Sequence, residues 1–293
     1  MLAFCTALLW GTTLVSTKVL LNHGLTPAEI MLYRFVIAYI VLWAIHPKSY
    51  KFSGWRDELL FFLLGLCGGT LYFITENSAL RITMASNVAL IVTTAPIFTA
   101  FLAHLVLKGE RLNRNLLVGS LMALVGVAFV VFNGKFILKL NPLGDLLSVG
   151  AAISWAFYSV IMKKLDGRYD IFYITRKVFF YGIVSMLPFF AIEPFQFDSK
   201  AILHIDVLLN LLFLSVIASS ICFVLWNSAI KHLGTVRTSN YIYFIPIITL
   251  ITSVVLLNEQ ITIYAIIGTV LILFGVYYVD HGIPFKTRNA SDK

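Results

Sequence analysis

Apolar residues run along this chain in long unbroken stretches rather than in the alternating or helical rhythm of a half-buried element. Residues 59 to 74 read LLFFLLGLCGGTLYFI, apolar on every side. A helix of about 20 such residues spans a bilayer core. The pattern predicts ten membrane helices, at 2–21, 29–45, 59–80, 84–107, 116–133, 144–162, 171–192, 207–230, 236–257 and 262–280. The longest connections, 46–58 and 193–206, leave no room for a soluble domain.

Composition fits: 59% hydrophobic, 12% charged and a mean hydropathy of +0.90 describe an all-α integral membrane protein. The first stretch reads as the first span rather than as a cleavable signal. The net charge of +8 lies in short loops, not on a soluble basic face, which argues against a nucleic-acid partner. Cys5, Cys67 and Cys222 are embedded in apolar runs with no metal-type spacing, so neither a disulfide nor a metal site is expected. With the N-terminus inside, fourteen Lys and Arg fall in cytoplasmic loops and tail. Only Arg81, Lys135, Lys139 and Lys200 fall outside, and Lys18, Arg34, Arg176 and Lys177 lie within span ends. That asymmetry predicts both termini cytoplasmic.

The chain also repeats itself. Residues 73–107 align with 223–257 at an offset of 150 without a gap, Phe73, Asn77, Ser78, Ala79, Pro96 and Ile97 meeting identical residues. Glu110 then aligns with Glu259, and Trp10 with Trp155. Five spans per copy forces the second copy to enter the membrane inverted, the architecture of many secondary transporters. The repeats are 1–134 and 144–281, followed by a short cytoplasmic tail, 282–293. Charge agrees: KGERLNR after span 4 becomes NEQITI after span 9, on the opposite side.

The stretch LLWGTTLVSTKVLL, Pro96 followed by LKGERL and GSLMALVG, and the counterparts Pro246, LLNEQI and GTVLILFG resemble EamA-type members of the drug/metabolite transporter superfamily. The resemblance covers essentially the whole chain. It implies an inner-membrane carrier of small metabolites, frequently an exporter of amino acids or related compounds, with no cofactor. It does not carry over a substrate. Gln260 stands where the family commonly has a basic residue.

Pro96 and Pro246 lie inside spans 4 and 9, where proline deprives the carbonyls of Val92 and Ile242 of their usual donors. Such breaks are tolerated where they face protein or a wet cavity. They read either as binding-site breaks flanked by Thr93, Thr94, Tyr241 and Tyr243, or as packing kinks. Trp10, Tyr72, Trp155, Tyr158 and Trp226, on helices made equivalent by the repeat, are candidates to line a solute pathway. Tyr277 and Tyr278 read as lipid-facing or interfacial. Asn77 and Asn227 suit interhelical hydrogen bonds. Gly65, Gly68 and Gly69, and the set Gly119, Gly126, Gly268 and Gly275, mark close-packing faces; the latter set serves a monomer or a weak homodimer.

Glu76 is the exceptional carboxylate, at a depth shared with Lys18 and Arg34. Two readings stay open. One is a fixed ion pair orienting spans 1 to 3. The other is a group that exchanges partners and takes a proton or the substrate's amino group, coupling export to a proton gradient. No enzymatic motif, nucleotide-binding loop or channel filter is present, which leaves secondary transport by alternating access against a membrane sensor or lipid-interacting scaffold.

Overall fold

A computed structural model describes residues 1–47, 52–83, 85–107, 113–132, 141–165, 167–192, 194–195, 202–248, 250–251 and 262–281. Every described element is helical, and eight helices are long and apolar enough to cross a membrane. They are α1 (Leu2–Asn22), α2 (Pro27–Ile45), α3 (Trp55–Ile82), α4 (Asn87–Val106), α5 (Arg114–Phe132), α6 (Pro142–Lys164), α7 (Ile171–Ala191) and α8 (Ile205–Leu233). After them come a short helix, α9 (Thr235–Asn240), and α10 (Ile263–His281), whose 263–279 stretch is apolar. Glu110, Glu259 and most of the basic loop residues lie outside the described residues.

Local chemistry sets the helix starts. Thr26 and Glu29 form a reciprocal capping box ahead of α2, with Pro27 at its first position. Asn141 accepts from the Gly144 amide to cap α6, and Asp170 accepts from Phe172 and Tyr173 to cap α7. Gly234, at φ +86°, makes the tight turn from α8 into α9 that a side chain would strain.

Among the described residues five spans depart from regular helix, α7 by ending in a 3-10 segment over Leu187–Ala191. α1 is interrupted at Gly11–Thr12, where Gly11 lies against Ile245 and Ile248. α3 and α8 carry π-helical segments, Leu66–Leu71 and Phe213–Ile221, that overlap at the offset of 150. In α4 the helix breaks at Thr93–Thr94, directly before Ala95 and Pro96. Around Pro246 the chain runs as 3-10 helix over Tyr241–Phe244 and as helix again over 245–248.

Lipid solvates exposed apolar side chains, so helices associate through close approach and interhelical hydrogen bonds rather than through hydrophobic force. α5 and α10 show the first: a Cβ on Gly119 would lie 2.6 Å from the Gly275 carbonyl, and one on Gly126 2.6 Å from that of Gly268. The four glycines are thus used within one chain. Gly65 meets the Gly182 amide of α7 in the same way. Asn227 supplies the second, accepting from Tyr158 at 2.7 Å and donating to Thr175 at 3.0 Å to join α8, α6 and α7. Asn77, expected to do likewise, is buried with no side-chain partner among the described residues. Tyr278 is buried rather than lipid-facing, whereas Tyr277 is exposed. The central core gathers Met31, Phe35, Phe61, Trp155, Phe179 and Phe223.

The two ends of the bundle differ. At one, Lys18 Nζ donates to the Leu80 carbonyl at 2.8 Å, Asn141 to the Ile82 carbonyl at 2.8 Å, and the rings of His23 and His204 meet. At the other, the starts of α3 and α7 are tied by charge. Asp57 accepts from Arg168 and Tyr169, both at 2.5 Å. Glu58 accepts from Lys177 Nζ at 2.7 and 2.9 Å, from the Ser53 amide at 3.0 Å, and from the Tyr181 hydroxyl. Arg176 and Lys177, which read as span-end charges in the sequence, are buried members of this end.

Candidate functional site

Between those ends lies a cavity holding about 690 Å³ of free space, its open mouth included. Six helices converge on it. α1 contributes Trp10, Thr13 and Leu14; α2 contributes Arg34; α3 contributes Tyr72, Phe73 and Glu76. Val92, Thr93 and Ala95 come from the break in α4, Trp155 from α6 and Phe223 from α8, with Ile242 and Ile245 from the segment around Pro246. Both helix interruptions flanking the prolines therefore reach the cavity wall. Val92 and Ile242, the residues whose carbonyls the prolines strip of donors, are among its lining.

Glu76 sits six residues before the end of α3, about 9 Å along the axis at 1.5 Å per residue, and is 8% exposed. The Tyr72 hydroxyl donates to Oε1 at 2.8 Å. Arg34 is 3% exposed; its guanidinium lies 4.4 Å from the centre of the Phe73 ring, and Nε donates to Ser219 at 3.3 Å. Among the described residues no ion pair within 4 Å joins Glu76 to Arg34 or to Lys18. The fixed pair is therefore not formed in this conformation. Lys18 is drawn instead to the Leu80 carbonyl and does not line the cavity. Arg34 and Glu76 thus line one cavity without forming an ion pair within 4 Å.

The aromatic residues divide similarly. Trp10, Tyr72 and Trp155 line the cavity, Trp10 packing edge-on to Trp155 at 5.2 Å between centroids. The Trp10 indole donates to the Ala218 carbonyl at 3.0 Å. That of Trp155, 4% exposed, has no acceptor among the described residues. Trp226 packs behind them, 5.0 Å from Trp10, and Tyr158 is committed to Asn227; neither lines the cavity. Tyr241 stacks on Phe244, and Tyr243 is buried against α5 and α10. Thr93 and Thr94 both bond back to helix carbonyls, of Ala89 and Ile91, and of the two only Thr93 lines the cavity, with Thr13 of α1. Phe73 and Phe223, equivalent in the repeat, line the cavity but are indistinguishable from core phenylalanines in the sequence.

The EamA-like transporter family model matches residues 1–132 and 142–279. The chain belongs to this family. A solved crystal structure superposes with a TM-score of 0.74 at 21% identity, over 96% of this chain and 97% of the other, a likeness of fold. Among curated EamA-like relatives, one from Archaeoglobus fulgidus called an uncharacterized transporter is 27% identical over 93% of each chain. One from Escherichia coli K12, called a probable amino-acid metabolite efflux pump, is 25% identical over 97% of this chain and 95% of its own. The protein is thus a multi-pass membrane transporter.

Proposed function

We propose that the protein exports a small zwitterionic metabolite, an amino acid or close relative, by alternating access across the inner membrane. The carrying observation is that Arg34 and Glu76 line one aromatic-walled cavity with no ion pair within 4 Å between them. Arg34 takes the solute's carboxylate, helped by the Trp155 indole N–H, and Glu76 takes its ammonium group. The aromatic walls cover the rest. The efflux-pump name of the Escherichia coli relative supports direction and class.

In this reading ten spans form two inverted repeats, 1–134 and 144–281. The two family-matching stretches and the overlapping π segments of α3 and α8 support it. The loop charges support cytoplasmic termini. The conformation then faces outward, its cytoplasmic end closed by the Asp57 and Glu58 clusters. Proton and ammonium compete for Glu76, which couples efflux to the proton gradient.

Flux of radiolabelled amino acids, purines and sugars in proteoliposomes tests this. Zwitterionic amino acids should move, and Glu76→Gln should cut flux at least tenfold and remove its dependence on the pH gradient. Transport indifferent to Glu76→Gln would sink the role of this residue. Absence of flux for the whole panel would favour a membrane sensor.

A further inference from the structure

At the rim opposite the Asp57 and Glu58 clusters, two histidines far apart in sequence come together. His23 caps the end of α1, and His204 is the residue immediately before α8. Their ring centroids are 5.0 Å apart, and Asp206 Oδ2 is 3.6 Å from His204 Nδ1. One nitrogen from each ring and one carboxylate oxygen all lie within 4.8 Å of one another, and all three residues are exposed.

The backbone beneath them is fixed. Leu20 and Leu25 on the α1 side pack with Val207 and Leu211 of α8 in one buried cluster. His23 is also held in a particular tautomer: its Nδ1 lies 2.9 Å from the Val19 carbonyl, which can only accept, so Nδ1 donates and Nε2 presents its lone pair. A backbone carbonyl behind an imidazole is the arrangement that orients metal-ligating histidines.

We propose that His23, His204 and Asp206 bind a divalent transition-metal ion of the zinc type. Two imidazoles and one carboxylate suit zinc, cobalt or nickel, whereas magnesium and calcium need mostly oxygen ligands. Tetrahedral ligands on bonds of about 2 Å stand about 3.4 Å apart, so the exposed side chains must close by at most about 1.4 Å through rotamer changes. Three protein ligands leave one position for water or a fourth donor. A bound ion would cross-link the end of α1 to the start of α8. The chain's ligands come from two distant loops, so no spacing motif announces them.

The test is Co²⁺ titration of tag-free protein in detergent, followed by the visible absorption of the bound ion. One saturable, Zn²⁺-displaceable site per chain is expected. His23→Ala and His204→Ala should each abolish the band, and Asp206→Asn should weaken binding at least tenfold. Zn²⁺ should raise the unfolding temperature of the natural protein but not of the histidine variants, whose metal-free unfolding should match the natural protein and so exclude misfolding. No saturable band, or a band unchanged in His23→Ala, overturns the site. Mg²⁺ displacing Co²⁺ as well as Zn²⁺ does would also overturn it. The readout is independent of whether any solute is transported.

Discussion

Replacing Glu58 by Gln tests how the closed end of the bundle is held. Glu58 and Lys177 side chains are each 8% exposed, and the ammonium contacts both carboxylate oxygens, at 2.7 and 2.9 Å. Removing one member of a buried pair costs about 3–5 kcal/mol because the survivor stays charged without compensation. Gln keeps one oxygen able to accept from Lys177, and the rings of Phe61, Tyr173 and Tyr181, 5.6 to 5.8 Å from Nζ, give some shelter. One retained hydrogen bond is worth about 1 kcal/mol, which leaves an expected loss of about 2–4 kcal/mol. At 1.4 kcal/mol per factor of ten, that is roughly 30- to 700-fold in the folding equilibrium. The assay is equilibrium unfolding in mixed micelles for Glu58→Gln, Lys177→Met and the double variant. The double variant should recover most of the single losses, with a coupling above about 1.5 kcal/mol. Single losses under about 0.5 kcal/mol that simply add would show that water already solvates the pair, and the reasoning from burial would fail.

Gly126→Ala should destabilise the α5–α10 pair by about 1–3 kcal/mol, since the new Cβ would sit 2.6 Å from a backbone carbonyl that cannot yield cheaply; unfolding unchanged from the natural protein would mean the helices can separate freely. Trp155→Phe keeps the ring surface but removes the unpartnered indole N–H, so it should raise the half-saturating solute concentration about three- to tenfold with folding intact. An unaltered concentration dependence in that variant would remove Trp155 from solute binding.

Span positions were legible because hydrocarbon thickness is a strict ruler: Pro27–Ile45 and Ile171–Ala191 fall within two residues of their expected limits. Interruptions were legible only where proline announces them, as at Pro96. The gap at Gly11–Thr12 and the two π segments carry no such signal, because tertiary contacts with Ile245, Ile248 and neighbouring helices decide them. The charged cluster at the Asp57 end was missed for a different reason. Lys177 and Arg176 look like ordinary snorkelling residues until a partner more than a hundred positions away is known. For Lys18 the acceptor is a backbone carbonyl, and every residue has one. Within the cavity the sequence singled out Glu76, Arg34, Trp10 and Trp155, whereas Tyr158 and Trp226 point the same way in the repeat yet end up one layer behind.

The π segment of α3 has a geometric effect along the whole helix. Glu58 and Glu76 are eighteen positions apart, five full turns of regular α-helix, so uninterrupted winding would set both carboxylates on one face. Hydrogen bonds to the fifth residue underwind the stretch Leu66–Leu71 and set back the phase of everything after it. Glu58 therefore points to Lys177 of α7, while Glu76 looks into the chamber shared with α1, α2 and α6. A single rod thereby serves two compass bearings: its first half is a latch and its second half a wall of the solute chamber, and the twist between them is written into six residues.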